Sequence, residues 1–325
     1  MSRLEIVKLV DAATGSTAEV LPGLGFNCFR YRPMIDGTTI DVLYSPPDFD
    51  TGQQRPSRGG IPLLFPYPGR IRGKMLHWRG RDYALDGDDT HGNAIHGYAL
   101  NRPWQVVEQQ PARVVGRLRG SQAVENLREK WPADFELTVT YALGSDRFAA
   151  TIEIRNPDDR PLPFGFGMHP WFRVPLVAGG DAANCVVRVP VRERWVLEDM
   201  LPSGGREEAS GNYDLADGRR FADCQLDDVF TGLFAATPGS DYRATLDDLA
   251  VGLRVAITFG QQFTQCVVFT PPHREAVCIE PYTAVPNAPE LAERGIDTGL
   301  RVLEPGASVR LGVVISIDRM SAGSA

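Results

Sequence analysis

The 325-residue sequence predicts an all-β protein, a large antiparallel β-sandwich, on three observations: apolar residues recur with a period of two, turn clusters separate the runs, and helical patterning is scarce. Phe135, Leu137, Val139 and Tyr141 alternate with Glu136, Thr138 and Thr140, and Phe148, Ala150, Ile152 and Ile154 follow the same pattern. Val251, Leu253, Val255, Ile257 and Phe259 form a third run, and Val309, Leu311, Val313, Ile315 and Ile317 a fourth. Side chains of a strand point to opposite faces in turn, so each run puts one face on a core and leaves the other more polar. Antiparallel sheets accommodate that arrangement, whereas a doubly covered parallel sheet reads as unbroken apolar segments.

The clusters Asp86-Gly87-Asp88-Asp89, Pro157-Asp158-Asp159, Gly179-Gly180-Asp181 and Pro305-Gly306 supply turns. The 25 prolines and 33 glycines suit many strands joined by tight turns and long loops. One short helix is expected around Ser121 to Lys130. No low-complexity linker or internal repeat divides the chain, so one domain over residues 1–325 is expected, with a frayed tail from Met320 onward.

Hydrophobic residues at 43% and charged residues at 23% are those of a globular chain, not a disordered one. The net charge of −7, with no run of either sign, speaks against nucleic acid or an anionic membrane as partner. No stretch approaches the roughly 20 apolar residues of a membrane span, and the charged start of the chain does not read as a signal peptide. Five scattered cysteines, Cys28, Cys185, Cys224, Cys266 and Cys278, read as free thiols in a reducing, cytoplasmic setting.

Four segments depart from ordinary strand or turn sequence. Residues 59–74, GGIPLLFPYPGRIRGK, are too proline-rich for a central strand and carry Arg70, Arg72 and Lys74; a solvated surface loop also accounts for them. Residues 91–97, HGNAIHG, set His91 and His96 in a glycine-punctuated loop without the spacing of a zinc motif. Residues 164–172, FGFGMHPWF, place His169 before Pro170 among Phe166, Trp171 and Phe172; an aromatic sugar-binding wall and a core strand are both open. Residues 277–289, VCIEPYTAVPNAP, put Glu280 at the end of an apolar strand, where burial would raise its pKa and suit it to general-base work. Residues 227–230, DDVF, are a weaker fifth segment that also reads as a solvated turn.

PYPGRI around Arg70, NAIHG ending at His96 and Gly97, GMHPWF around His169, DDVF from Asp227 and IEPYT around Glu280 together resemble the aldose 1-epimerase (galactose mutarotase) family, in the family's order. The resemblance implies the galactose mutarotase-like supersandwich, in agreement with the strand periodicity. It implies an isomerase that interconverts the anomers of a free aldose, with His169 as general acid on the ring oxygen and Glu280 as general base on the anomeric hydroxyl. It further implies that Arg70, His96 and Asp227 hold the sugar, with no cofactor and no metal. Gly69 stands where members often have asparagine, and Trp171 where tyrosine is common. His169 and Glu280 are expected to face each other across about the width of a sugar ring.

Three alternatives are defined by residues. A hexose-6-phosphate epimerase would use Arg70, Arg72 and Lys74 to clamp phosphate. A non-catalytic carbohydrate-binding module would use the same pocket without an acid–base pair. A metal-dependent isomerase would need His91, His96, His169 and Glu280 as ligands.

Overall fold

The computed structural model describes residues 3–144 and 146–320. The expected frayed tail therefore lies, apart from Met320, outside the described residues. Two large antiparallel sheets dominate. In order across the nine-stranded sheet run Gln105–Gln110, Arg113–Arg119, Glu136–Leu143, Arg147–Arg155, Ser308–Arg319, Leu253–Phe259, Tyr242–Asp248, Cys185–Arg188 and Arg219–Arg220. The eight-stranded sheet runs Leu201–Glu208, Glu193–Glu198, Asp227–Thr231, Gln265–Phe269, Ala276–Tyr282, Gly167–Met168 and Leu63–Leu64, with Trp171–Arg173 also pairing on the Ala276–Tyr282 strand.

Alternation sets the register of these strands. Leu137, Val139 and Tyr141 are buried while Glu136, Thr138 and Thr140 are only partly so. Opposite them stand Ile154, Ile152 and Ala150, which face the same side. A one-residue slip would turn all six away from the core, which is why the pairing is well specified. The main core joins these side chains to Leu311, Val313 and Val255 of the same sheet and to Phe230, Val268, Val277 and Ile279 of the other. Sandwich packing of two sheets through one apolar layer is the expected all-β solution. Thus the opposite face of the second sheet is left for other uses.

Helix is minor, and the short helix expected around Ser121 to Lys130 is present but broken. Gly120–Ala123 and Leu127–Lys130 are single turns separated by Val124 in extended conformation and by Asn126 at φ 53°. Asp134 accepts from both the Ser121 backbone N–H and its hydroxyl, which ties the first turn to the segment leading into the strand Glu136–Leu143 rather than to a continuing helix. The longest α-helix among the described residues, Ala288–Glu293, starts at the end of the 277–289 segment, where no helix was expected. Pro289 tolerates its first turn because no N–H is needed there.

Candidate active site

The candidate site lies on the face of the eight-stranded sheet turned away from the main core. On the Ala276–Tyr282 strand, Val277 and Ile279 enter that core. Ala276, Cys278, Glu280 and Tyr282 therefore share the other face. Glu280 pairs in register with Val267, and Cys278 with both Phe269 and Trp171. One strand further on, Asp227 is opposite Phe269 and Val229 opposite Val267. This row floors a cavity of about 570 Å³, which Arg70, His96 and His169 line together with Asp227 and Glu280. That volume is within the roughly 300–1,000 Å³ of small-molecule pockets. All five candidate residues thus meet in one place.

Glu280 is 1% exposed, and the Tyr282 hydroxyl donates to its Oε2 at 2.6 Å. Burial raises its carboxyl well above the usual carboxylate range, against the Tyr282 hydrogen bond, which favours the charged form. His169 is 7% exposed, and burial lowers its pKa to about 3. Its Nδ1 lies 3.4 Å from Glu280 Oε1 without forming a hydrogen bond. The two groups are therefore side by side, not a ring's width apart. Both shifts favour the neutral forms, so a proton shared by the pair is biased toward the carboxyl.

His169 is held from several sides. Its N–H donates to the Pro62 carbonyl at 3.0 Å. The imidazole stacks on Trp171 with centroids 5.5 Å apart and planes 6° from parallel, and meets the His96 ring edge-on at 5.7 Å.

Arg70 and His96 come from two short strands, Arg70–Ile71 and Ala94–Ile95, that pair antiparallel. The His96 N–H donates to the Gly69 carbonyl at 2.8 Å, and the Gly69 N–H donates back to His96 Nδ1 at 3.3 Å. With Nδ1 accepting, the proton of the neutral ring sits on Nε2, which is left as a donor. Burial, then His169 and Arg70, push the His96 pKa well below its ordinary value and keep it neutral. Gly69 has φ +65°, and a Cβ there would lie 2.5 Å from Pro286 Cγ, so a larger residue does not fit in this chain.

Asp89 anchors Arg70, accepting from its Nε at 2.7 Å. Burial pushes the Asp89 carboxyl up, but N–H groups of Asn93 and His91 and the Arg70 guanidinium outweigh it and hold the pKa at about 2. Asp89 had been visible only as part of a turn, so its role was missed. Asp227 begins a strand rather than a turn. It is open to solvent through the cavity, yet the surrounding walls raise its pKa by desolvation, offset in part by Arg70. Asp228 points the other way, to Arg194 at 3.1 Å.

The remaining candidates fall elsewhere. Arg72 pairs with Glu290 and Lys74 with Asp88, within one 3-10 turn outside the cavity wall. His91 is exposed and does not line the cavity, so the four-ligand metal set is not assembled. Among the described residues one set of potential metal donors gathers: His169, Cys278 and Glu280, with ligand atoms all within 4.8 Å of one another. No helix among the described residues is long and apolar enough to cross a membrane.

The fold is that of a galactose mutarotase-like β-sandwich protein. The sequence matches the aldose 1-epimerase family over residues 33–316, and the chain belongs to that family. A galactose mutarotase-like protein from Clostridium acetobutylicum superposes with a TM-score of 0.84 at 23% identity, covering 98% of this chain and 99% of that one. A GalM/aldose epimerase homologue from C. elegans gives 0.80 at 18% identity, with 98% and 99% covered. Galactose 1-epimerase from Lactobacillus acidophilus gives 0.73 at 17% identity, with 98% and 100% covered. At these identities the likeness is one of fold. The Escherichia coli protein YphB is 26% identical over 110 residues, which span 34% of this chain and only 35% of that relative.

Proposed function

We propose that this protein is an aldose 1-epimerase acting on a free aldose, with His169 as general acid and Glu280 as general base. The observation that carries the reading is their side-by-side burial at 3.4 Å on the cavity floor. The ring oxygen and the anomeric hydroxyl are both bonded to the same carbon, so an acid and a base serving them must be neighbours.

Proton accounting supports the pair. Ring opening needs protonated His169 and ionised Glu280: His169 gives its proton to the ring oxygen as Glu280 takes that of the anomeric hydroxyl. The pair is then neutral histidine and protonated carboxyl, the form that burial favours. Rotation of the carbonyl end and closure from the other face run the transfers backwards and yield the opposite anomer. Each transfer of this kind is worth roughly 10²–10⁴-fold. The Arg70 guanidinium, held by Asp89, favours the ionised form of Glu280. With Asp227 accepting and His96 Nε2 donating, Arg70 would orient the sugar hydroxyls.

A free sugar is favoured over a phosphorylated one because two of the three residues of the phosphate clamp, Arg72 and Lys74, pair with Glu290 and Asp88 outside the cavity wall, leaving only Arg70 within it. The five cysteines, all buried and free, support a cytoplasmic setting. A core that joins Val7 to Ile317 supports reading the chain as one domain. The test is polarimetry or NMR of anomer exchange over a panel of aldoses, free and phosphorylated. Acceleration of at least one free aldose without added cofactor, surviving chelation, is expected. Rates equal to buffer throughout would leave a binding module, and acceleration of phosphorylated sugars alone would select the clamp reading.

A further inference from the structure

We propose that His169, Cys278 and Glu280 form a binding site for a soft divalent cation, Zn²⁺ or Cd²⁺, whose occupation disables the acid–base pair. Thiolate, imidazole and carboxylate are the donor types these cations select. Cys278 and Glu280 are two residues apart on one strand and so share a face. Trp171 lies directly opposite Cys278 in the ladder, which sets His169, two residues earlier, over the same spot.

Two features point to a ligand rather than to chance proximity. The His169 Nδ1 is buried and lacks a hydrogen-bond partner, although the imidazole is stacked on Trp171 and meets His96 edge-on. Its 3.4 Å approach to Glu280 Oε1 already matches the separation of about 3.5 Å between two ligands of a tetrahedral zinc with bonds of about 2.0–2.3 Å. The three ligand atoms span at most 4.8 Å, so contraction by about 1 Å completes the set. The fourth position would open toward the cavity that His169 and Glu280 line. On binding, Cys278 gives up its thiol proton and Glu280 its carboxyl proton, both to bulk water.

Cation binding stands independently of the epimerase reading; only the accompanying loss of turnover rests on it. The test titrates the full chain with Cd²⁺, free of chelator and reductant, and follows the ultraviolet thiolate-to-metal charge-transfer band. Saturation near one equivalent is expected, with loss of anomerisation in step with the band and recovery of both on adding EDTA. Cys278→Ser should remove the band. His169→Asn and Glu280→Gln, which leave every thiol in place, should each weaken Cd²⁺ by more than the roughly 10–100-fold that losing an outer partner costs. The exposed His77–Asp82 and His273–Glu275 pairs contain no thiol and give no such band. Absence of the band, its persistence in Cys278→Ser, or indifference to both His169→Asn and Glu280→Gln would overturn the proposal. Should Cys278→Ser fail to fold, the other two variants decide. A band without any anomerisation would sink the proposed enzyme while leaving the cation site.

Discussion

The Tyr282 hydroxyl donates to Oε2 of Glu280 at 2.6 Å, which leaves Oε1 to face His169. The two residues are i and i+2 on one strand, so the contact is built into the strand's pleat. It is the main hydrogen bond favouring the ionised carboxylate against its burial.

Tyr282→Phe should therefore raise the Glu280 pKa further and make the base form rarer. We expect kcat to fall roughly tenfold, about one pKa unit's worth, with KM little changed. Steady-state polarimetry of the variant checks this, and a pure KM effect would show that Tyr282 holds sugar rather than the base.

Glu280→Gln and His169→Asn each delete a proton-transfer group while keeping size and much of the hydrogen bonding. Turnover should drop by roughly 10²-fold or more, with sugar affinity largely kept. Arg70→Ala should raise KM as well, since an arginine on the sugar hydroxyls binds ground and transition states alike, and should lower kcat because the ionised form of Glu280 loses its nearby cation. Asp89→Asn, which removes the charge that holds Arg70, should give a smaller effect of the same kind. The Asp89→Asn, Arg70→Ala double variant should then be no worse than Arg70→Ala alone.

Activity should not follow the titration of an ordinary histidine. The pair works only while it holds one proton. A second proton arrives as pH falls toward the lowered His169 value of about 3, and the single proton leaves only above the raised Glu280 value. A plot of kcat/KM against pH should show no gain of activity as pH rises through the ordinary histidine pKa of about 6.5. Such a gain would mean that His169 is solvated and the proton account is wrong.

The fold was legible because burial of one sheet face imposes a period of two, visible in Leu137, Val139 and Tyr141 without any tertiary knowledge. Helix Ala288–Glu293 was not, because two prolines mask its pattern and its start depends on Asn287 in left-handed conformation and on tertiary packing of Leu291. The candidate site was legible as residue types in unusual local settings: His169 before proline, Glu280 at a strand end. Asp89 was not, since its significance arises only when the 89–93 turn folds back on Arg70. Nor did sequence separate Asp227 from Asp228, which strand pairing sends to opposite faces.

Stability should carry the signature of the same pair, with opposite pH dependence at its two members. The folded pKa of Glu280 lies above its unfolded value, so the folded chain binds more protons and loses stability as pH rises from about 4.5 through the folded value. Glutamine cannot ionise, so the melting temperature of Glu280→Gln should gain on the parent as pH rises. The folded pKa of His169 lies below its unfolded value, so there the unfolded chain binds more protons and stability falls as pH drops from about 6.5 toward about 3. His169→Asn should accordingly gain on the parent as pH falls. Thermal unfolding of the three proteins from pH 5 to pH 9 checks both slopes at once. Parallel curves would mean that neither group is desolvated in the folded state, and the catalytic assignment would lose its electrostatic basis.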